Sequence, residues 1–383
     1  MDGAAQMKLV YLSPVPLNGF EQRPHYMVQE LLRGGVSSAL WLEPYPTRLP
    51  RFADLRRPSE RGLAAPGSRL PIRAIQPKAL PIEPLQFGRR LNFRIFFRPL
   101  LEELDEWIGN DRFILALGKP SPLAIALLDR YKTDSRCAGS VYDRMDRFAA
   151  FHSGISSRSM QKWEFEILGR VDRVQAASAS LLSEVERICG DSSLCLNGFD
   201  AEAVSAALAD AEPTGPAALG YVGTIGAWFD WDWVGRLAEQ LDADDSSLQI
   251  RLIGPCFRRP PRALPQRISM EQALPHALAL RAMRALKVGL IPFKVNALTE
   301  GVDPIKYYEY RALGLPVVGT SFGELRHKTA DAGLFLTDAT DPLASVRAAL
   351  ALPEGEPRIS RPDCTWSARF APLIDWVRSR QSP

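Results

Sequence analysis

The sequence has little cysteine and no paired cysteine motif. Its 383 residues contain only five cysteines, which are scattered along the chain: Cys137, Cys189, Cys195, Cys256 and Cys364. An odd number of isolated thiols argues against a disulfide framework and against a zinc site. We therefore expect reduced, structural thiols in a cytosolic protein.

Long apolar runs and an excess of one charge are lacking too. No run approaches the roughly 18–20 apolar residues that a membrane span needs, and the start, MDGAAQMKLVYL, lacks the features of a signal peptide. The 47 lysines and arginines against 44 aspartates and glutamates leave a net charge of +3, which excludes a polyanion binder that works by bulk charge. The length suggests two domains of about 100–200 residues each.

That small net charge conceals an asymmetry. Twelve basic and three acidic residues fall within 48–98, so this segment carries +9 and the rest of the chain, since the whole carries +3, carries −6. The segment is rich in proline and is predicted to form loops. Its end, residues 87–98, interleaves arginines with Phe and Ile, which suits a patch on an anionic membrane. Nucleic-acid binders use the same residue types, and a solvated loop around a buried helix is the simpler alternative.

Short apolar runs alternate with longer helical patterns along the chain. Strands are predicted at 8–12, 36–42, 112–117, 139–142, 173–177, 193–196, 219–222, 249–253, 288–291, 316–318 and 334–336. Helices are predicted at 21–33, 100–107, 122–131, 157–168, 180–188, 231–240, 277–285, 305–313 and 365–380. This alternation indicates an α/β fold with parallel sheets covered on both faces. A linker region is predicted over 201–218, and we expect a ligand to bind between the two halves.

Residues 290–320 are the most informative stretch. They are predicted to form a strand, a loop, a helix that opens at Pro304, and a return to the next strand. Pro304 suits a first helical position and Asp303 a helix N-cap. A helix start at the carboxyl edge of a parallel sheet suits a diphosphate, to which Lys306 would add a charged donor. Glu309 could accept from a ribose hydroxyl, or it could form an ordinary surface pair with Lys306.

Several motifs resemble those of GT-B glycosyltransferases of the bacterial exopolysaccharide type. The pattern P-x-K-x-x-E-Y-x-A-x-G-x-P-V-V at 304–318 resembles their donor-site signature, and EQRPH at 21–25 is similar to their QRPH segment. NGFD at 197–200 resembles the end of their N-terminal domain, and YVGTIG at 221–226 the glycine-rich loop that opens the C-terminal one. Each motif is weak alone, but their order and spacing over nearly the whole chain make the resemblance specific.

The resemblance implies an α/β chain with two Rossmann-like domains that face each other across a cleft. An acceptor domain is expected over 1–200, a linker over 201–216 and a nucleotide-sugar domain over 217–362. A C-terminal helix region, 363–383, is expected to pack back on the first domain. The implied donor is a UDP-sugar, with UDP-glucuronate as one candidate. We expect no cofactor, since the nucleotide-sugar is a substrate, and no metal, because no DxD-like acidic pair is placed where a metal would be needed.

The sequence departs from many retaining members of this group at one acidic position. Those enzymes carry two glutamates eight residues apart, whereas here Gly301 lies eight residues before Glu309 and Glu300 lies nine before it. A variant branch, which includes the xanthan-type glucuronosyltransferases, carries the P-x-K pattern and inverts with an aspartate of the N-terminal domain as base. The stretch WLEPYPTRLP at 41–50 also resembles that branch.

Asp143, Asp146 and His152 are the candidate catalytic residues. Asp143 is expected just past a strand, at the carboxyl end of the sheet, and Asp146 one turn further on. Either carboxylate could take the proton of an acceptor hydroxyl as the glycosidic bond forms. Each could instead cap a helix or pair with Arg144 or Arg147. A lone histidine such as His152 is more often a donor in a loop or core.

The remaining candidates lie mainly in loops that follow strands. The candidate acceptor contacts are Asn18, Gly19, Arg23 and His25. The candidate donor contacts are Gly223, Thr224, Gly226, Arg258, Asp303, Pro304, Lys306, Tyr307 and Glu309. Arg23 could equally form a structural ion pair, and Arg258 could simply lie in solvent.

These observations together predict a cytoplasmic glycosyltransferase at the inner face of the cytoplasmic membrane. It would extend a lipid-linked glycan for an exported polysaccharide, contact anionic lipid peripherally through the +9 segment, and bind no nucleic acid. One alternative is a nucleotide-sugar 2-epimerase of the same fold. The other is a catalytically inert domain that binds a sugar as a scaffold.

Overall fold

The chain divides into two compact units in a computed structural model. The first unit comprises Met1–Leu196 with Phe370–Pro383, and the second comprises Asn197–Arg369. The structure describes residues 6–49, 70–210, 217–337, 340–352 and 362–381.

The first unit is built on a seven-stranded sheet formed by its described residues. The strands are β1 (Met7–Leu12), β2 (Ser38–Leu42), β3 (Ile72–Ile75), β4 (Arg112–Leu117), β5 (Cys137–Arg144), β6 (Arg173–Ala176) and β7 (Ser192–Leu194). The helices are α1 (Arg23–Arg33), α2 (Gln86–Asn92), α3 (Arg98–Ile108), α4 (Pro122–Tyr131), α5 (Gly154–Leu168) and α6 (Ala179–Val185). A π-helical segment, Phe93–Phe97, joins α2 to α3, and a 3-10 turn lies at Phe148–Phe151.

The second unit carries a six-stranded sheet, again counted over the described residues. Its strands are β8 (Ala218–Val222), β9 (Gln249–Ile253), β10 (Ile268–Glu271), β11 (Val288–Ile291), β12 (Val317–Thr320) and β13 (Leu334–Thr337). From residue 201 onward the chain forms the helices α7 (Ala201–Ala209), α8 (Trp231–Ala243), α9 (His276–Arg284), α10 (Ile305–Ala312), α11 (Pro342–Leu350) and α12 (Trp366–Arg378).

All neighbouring strands pair in parallel. Parallel strands are covered on both faces, so a central strand such as β4 reads as a continuous apolar run and is buried nearly throughout. Helices present one apolar stripe instead. In α3 the buried Leu100, Leu104 and Ile108 recur every four residues. The expected α/β fold class is confirmed.

Each sheet has one switch point where the strand order reverses. The orders are β3-β2-β1-β4-β5-β6-β7 and β10-β9-β8-β11-β12-β13. The switch points therefore lie between β1 and β4 in the first unit and between β8 and β11 in the second. Open parallel sheets bind ligands beyond the carboxyl ends of their strands at such points.

The C-terminal helix α12 belongs to the first unit from Phe370 onward. Phe370 is fully buried there, and the side chain of Arg378 donates from Nε to the carbonyl oxygen of Gly34 (3.0 Å). Nearer the chain centre, Asp200 caps α7 by accepting from the amide of Ala203 (3.0 Å). The prediction of a linker over 201–218 was therefore wrong for 201–209, while 211–216 lie outside the described residues.

The basic segment is helical at its end, which corrects the prediction of loops. Residues 86–108 form α2, the π-helical segment and α3 without a break. The short edge strands β3 and β10 and the helix α11 were also missed. Five of the segment's basic residues lie outside the described part of the chain: Arg51, Arg56, Arg57, Arg61 and Arg69. Within the described part, no helix is both long enough and apolar enough to cross a membrane.

Candidate active site

The loop that follows β8 is shaped by close backbone packing at the switch point of the second sheet. Gly223 and Gly254 have positive φ angles of 157° and 140°, which favour glycine. A Cβ atom on Gly254 would lie only 2.2 Å from the carbonyl oxygen of Gly223. The ends of β8 and β9 can approach this closely only with glycine at Gly254.

Lys306 lies beside this glycine loop. Its Cε is 3.4 Å from the place that a Cβ on Gly223 would occupy, and its side chain is a quarter exposed. Lys306 stands in the first turn of α10, which follows β11 across the switch point. A group with negative charge at this edge would meet an ammonium, backbone amides and the positive end of a helix.

Glu309 is buried between two basic side chains. Its Oε2 accepts from Lys306 Nζ (2.6 Å) and its Oε1 lies 2.9 Å from His276 Nε2. Burial alone would raise the pKa of Glu309, but Lys306 and His276 outweigh that effect and hold the pKa at about 2. Glu309 is therefore a permanent anion, and the Lys306 ammonium is positioned by it. Sequence reasoning missed His276, which is 33 residues away in the chain and carries no local motif.

The start of α10 differs from its prediction. The N-cap is Pro304, in extended conformation, and the helix begins at Ile305. Asp303 does not cap the helix, because its carboxylate accepts from the amide of Asn197 (2.7 Å) and from Tyr308 Oη (2.9 Å). The predicted N-cap and the predicted first helical residue therefore each lie one residue too early in the chain.

Other predicted donor contacts have structural partners. Tyr307 is buried and donates from Oη to Asp331 (2.8 Å). The carbonyl of Thr224 accepts from Tyr221 Oη (2.9 Å). Gly226 is buried in the same loop, and Arg258 is exposed, with its carbonyl accepting from Trp231 Nε1 (2.9 Å). Hydrogen bonds thus engage the backbone carbonyls of Thr224 and Arg258, while Arg258 itself is exposed.

Arg23 and Asp143 form a buried ion pair in the first unit. Arg23 donates from Nε to both carboxylate oxygens (3.0 Å each) and from Nη2 to Oδ1 (2.7 Å). Its Nη1 donates to the carbonyl of Cys195 (2.7 Å). Both side chains are almost completely buried. Asp143 lies inside β5 and not just past it, so its predicted position was wrong.

Asp146 differs sharply from Asp143. It is half-buried, and no described residue forms a hydrogen bond with its carboxylate. Burial raises the pKa of Asp146 to about 7; Arg23 lowers it in part, and the negative charge of Asp143 raises it further. A carboxylate with a pKa near neutrality can both accept and release a proton at the working pH.

The first loop is held in place by its own side chains. His25 is buried; its Nδ1 accepts from the amide of Gln22 (3.2 Å), and its Nε2 lies 3.1 Å from the carbonyls of Pro16 and Leu17. Burial lowers the pKa of His25, in keeping with a neutral ring. Gly19 is buried in the same turn, donating to Pro16, and Asn18 is exposed beside it. His25 therefore positions the loop that presents Asn18.

His152 lies at the end of the 3-10 turn and is half-buried. Its amide donates to the carbonyl of Ala149 (3.2 Å).

The described residues contain no group of His, Cys, Asp or Glu that could hold a metal ion.

Solved structures of sugar-transferring proteins share this architecture. An alpha,alpha-trehalose-phosphate synthase (UDP-forming) from Burkholderia vietnamiensis is 12% identical, with a TM-score of 0.64 over 99% of each chain. A trehalose-6-phosphate structure from E. coli bound with UDP-2-fluoro glucose is 10% identical, with a TM-score of 0.63 over 98% of this chain and 99% of that one. The lipopolysaccharide outer core galactosyltransferase WaaB is 13% identical, with a TM-score of 0.59 over 98% of this chain and all of the other.

At such low identities the similarity shows a common fold. It extends over nearly the full length of these proteins and confirms the expected pair of Rossmann-like units of the GT-B type. No protein-family model and no curated protein sequence matches the chain.

Proposed function

We propose that this protein is a glycosyltransferase that uses a UDP-sugar. The observation that carries the proposal is Lys306, held by the buried Glu309 beside the Gly223 loop at the switch point of the second sheet. That is where a sheet of this kind binds a ligand, and the charge there suits a diphosphate. Proteins of the same fold bind a UDP-sugar analogue or form UDP.

The donor diphosphate would bind Lys306 and the glycine loop. The Lys306 ammonium can bridge Glu309 and a phosphate oxygen, since an ammonium has three donor hydrogens. Each oxygen of Glu309 keeps a lone pair for a ribose hydroxyl. As the bond from the anomeric carbon to phosphate breaks, Lys306 would stabilise the charge that develops on the departing diphosphate.

Asp146 is the proposed base. It would accept the proton of the acceptor hydroxyl while that oxygen forms its bond to the anomeric carbon and UDP departs with the bonding electrons. Arg23 is paired with Asp143, and the nearby Asp143 carboxylate raises the pKa of Asp146. Asp143 would therefore be a positioning and electrostatic residue, and the reaction would invert the anomeric centre. The charge balance closes without a further reactant.

The proposed acceptor is a lipid-linked glycan destined for an exported polysaccharide, with UDP-glucuronate a candidate donor. Support comes from the exposed apolar side chains of Phe87, Phe93 and Ile95, which are 63%, 45% and 50% exposed. Exposed Arg90 and Arg94 stand among them. Apolar side chains flanked by arginines suit peripheral contact with anionic lipid at the inner face of the cytoplasmic membrane.

An assay of UDP release tests the proposal. Purified protein is supplied with UDP-glucose or UDP-glucuronate, with and without a detergent extract of lipid-linked glycans. We expect release that depends on the extract and falls at least tenfold in Lys306→Ala, whereas the exposed Lys287→Ala in the same unit behaves like wild type. A changed nucleotide-sugar that forms without any acceptor and without net release of UDP would instead indicate an epimerase. Binding without release under any condition would indicate a scaffold.

A further inference from the structure

The loop that follows β11 contains a lysine to which the proposed transfer assigns no role. Lys294 lies three residues beyond Ile291, the last residue of β11, and is half-buried. Because β11 borders the switch point of the second sheet, this loop begins at the edge where a parallel sheet binds its ligand. Lys306, the proposed contact of the diphosphate, lies at the far end of the same connection, in the first turn of α10.

Hydrogen bonds fix the backbone of this loop. The side chain of Asn296 accepts from the amides of Leu298 (2.9 Å) and Thr299 (3.3 Å). The hydroxyl of Thr299 donates to the carbonyl of Lys294 and accepts from the amide of Asn296 (3.1 Å). Residues 294–299 therefore form a closed turn, and Lys294 occupies its first position.

The loop after β8 contacts Lys294 from across the switch point. The amide of Lys294 donates to the carbonyl of Trp228 (2.7 Å). Trp228 belongs to the same loop as Gly223, which lies beside the side chain of Lys306. The loop after β8 thus contacts both lysines, one near its start and the other near its end. The two lysines therefore border the same edge of the second sheet.

The acids of the two loops are engaged by other groups. Glu300 accepts from Nη1 and Nη2 of Arg326 (3.0 Å and 2.8 Å). Asp230, in the loop after β8, caps α8. Among the described residues, the side chain of Lys294 forms neither a hydrogen bond nor an ion pair. An ammonium that is partly removed from water and lacks a counter-ion is stabilised by an anion that binds it.

We propose that Lys294 is a second cationic contact of the donor and binds a negatively charged oxygen that Lys306 does not hold. The inference rests on the proposed function, since it adds a residue to the same donor site. A UDP-sugar carries more than one negative charge, whereas Lys306 already shares its charge with Glu309. The oxygen belongs either to the diphosphate or to a carboxylate on the transferred sugar, and an ammonium suits both.

Calorimetric titration of UDP, UDP-glucose and UDP-glucuronate into Lys294→Met tests the proposal, because methionine removes the charge and keeps a long side chain. The nucleotide that wild-type protein binds most tightly should bind this variant roughly tenfold more weakly or worse, the worth of a charge-assisted hydrogen bond. Lys294→Arg, which keeps the charge, should retain most of the affinity. Lys287→Met, which removes an exposed lysine of the same unit, should behave like wild type.

The three nucleotides also identify the source of the anionic oxygen. An equal loss of affinity for every nucleotide that wild-type protein binds supports a contact with the diphosphate. A loss confined to UDP-glucuronate supports a contact with the sugar carboxylate. A loss confined to UDP-glucose would indicate a neutral sugar contact and overturn the proposal. Affinities of Lys294→Met equal to those of Lys287→Met for all three nucleotides would overturn it as well.

The same measurements separate this inference from the proposed function. If Lys306→Ala weakens donor binding and Lys294→Met does not, the donor site remains supported and the role of Lys294 is wrong. If Lys294→Met weakens donor binding but wild-type protein never releases UDP, the contact is supported and the transfer is overturned. Wild-type protein that binds none of the three nucleotides overturns both. Circular dichroism checks that each variant is folded, and Lys294→Gln replaces an unfolded Lys294→Met with the same outcomes.

Discussion

Glu309 of the second unit and Asp146 of the first are both acids removed from water, yet their pKa values move in opposite directions. Glu309 has a lysine and a histidine in direct contact, and its pKa falls to about 2. Asp146 has no hydrogen-bond partner among the described residues and lies near another carboxylate, and its pKa rises to about 7. Burial acts in the same direction on both groups, so the neighbouring charges decide the difference.

This difference separates two chemical roles. A carboxylate that never protonates can hold a cation and accept hydroxyl hydrogen bonds, which suits a binding site. A carboxylate poised near neutrality can move a proton, which suits a base. Replacing each carboxylate separately tests whether the two acids have these different roles.

The largest effect is expected from Asp146→Asn. An amide cannot accept the acceptor's proton, so turnover should fall about 100- to 10,000-fold, the usual worth of a general base. The dissociation constant of the donor, measured by calorimetry, should stay within twofold of wild type. Asp232→Asn, an exposed aspartate on α8, serves as the control. Near-normal turnover in Asp146→Asn would remove this residue from the mechanism.

Asp143→Asn should act on stability. Removing the charge takes away the carboxylate that Arg23 contacts directly, and breaking a buried pair from one side costs about 3–5 kcal/mol. Urea denaturation at pH 7 measures the loss. Asp146→Asn, three residues further on, should show no such loss, and equal destabilisation of the two variants would erase the distinction between them.

The pH dependence of stability should have opposite signs for the two acids. The pKa of Glu309 is about 2 in the folded state against an ordinary 4.5, so its stabilisation is present above pH 4.5 and is lost as pH falls towards 2. Glu309→Gln should therefore cost about 3 kcal/mol at pH 7 and less than half of that at pH 3.

For Asp146 the pKa is about 7 in the folded state against an ordinary 3.8, so stability is lost as pH rises through that range. Asp146→Asn should then raise the urea midpoint at pH 8 and leave it unchanged at pH 3.5. If the two replacements change stability with pH in the same direction, the assigned charges are contradicted.

The smallest effects are expected at the membrane patch. Each arginine near an anionic surface contributes about 1 kcal/mol, or roughly fivefold in affinity. Replacing Arg90 and Arg94 with glutamine should weaken sedimentation with phosphatidylserine vesicles roughly 25-fold at low salt. The binding of wild-type protein should itself fall with added salt. Vesicle binding that is weakened neither by the double arginine replacement nor by added salt would exclude this patch as the membrane contact.

Local patterns predicted much of the fold. The bounds of β4, β9, β11 and α4 match their predictions, because apolar runs and helical periodicity depend only on residues that are close together in the chain. The edge strands β3 and β10 were missed because short, half-exposed strands carry little apolar signal. The helix α2 was missed because the sequence around it is rich in proline.

The pairings in the candidate sites could not be read from the sequence in the same way. Arg23 and Asp143 are 120 residues apart, and Asn197 and Asp303 are 106 apart. Such contacts are made by the tertiary fold. Asp303 shows the consequence: its residue type and position suit a helix cap, but Asn197 and Tyr308 engage its carboxylate instead.

A crystal structure with UDP bound would show whether Lys306 holds the diphosphate. We expect the diphosphate within hydrogen-bond distance of Lys306 Nζ, against the loop at Gly223, with a ribose hydroxyl at Glu309. The same soak of Lys306→Ala crystals should show the nucleotide at reduced occupancy. A diphosphate held elsewhere on the chain, with Lys306 still bound only to Glu309, would contradict the proposal.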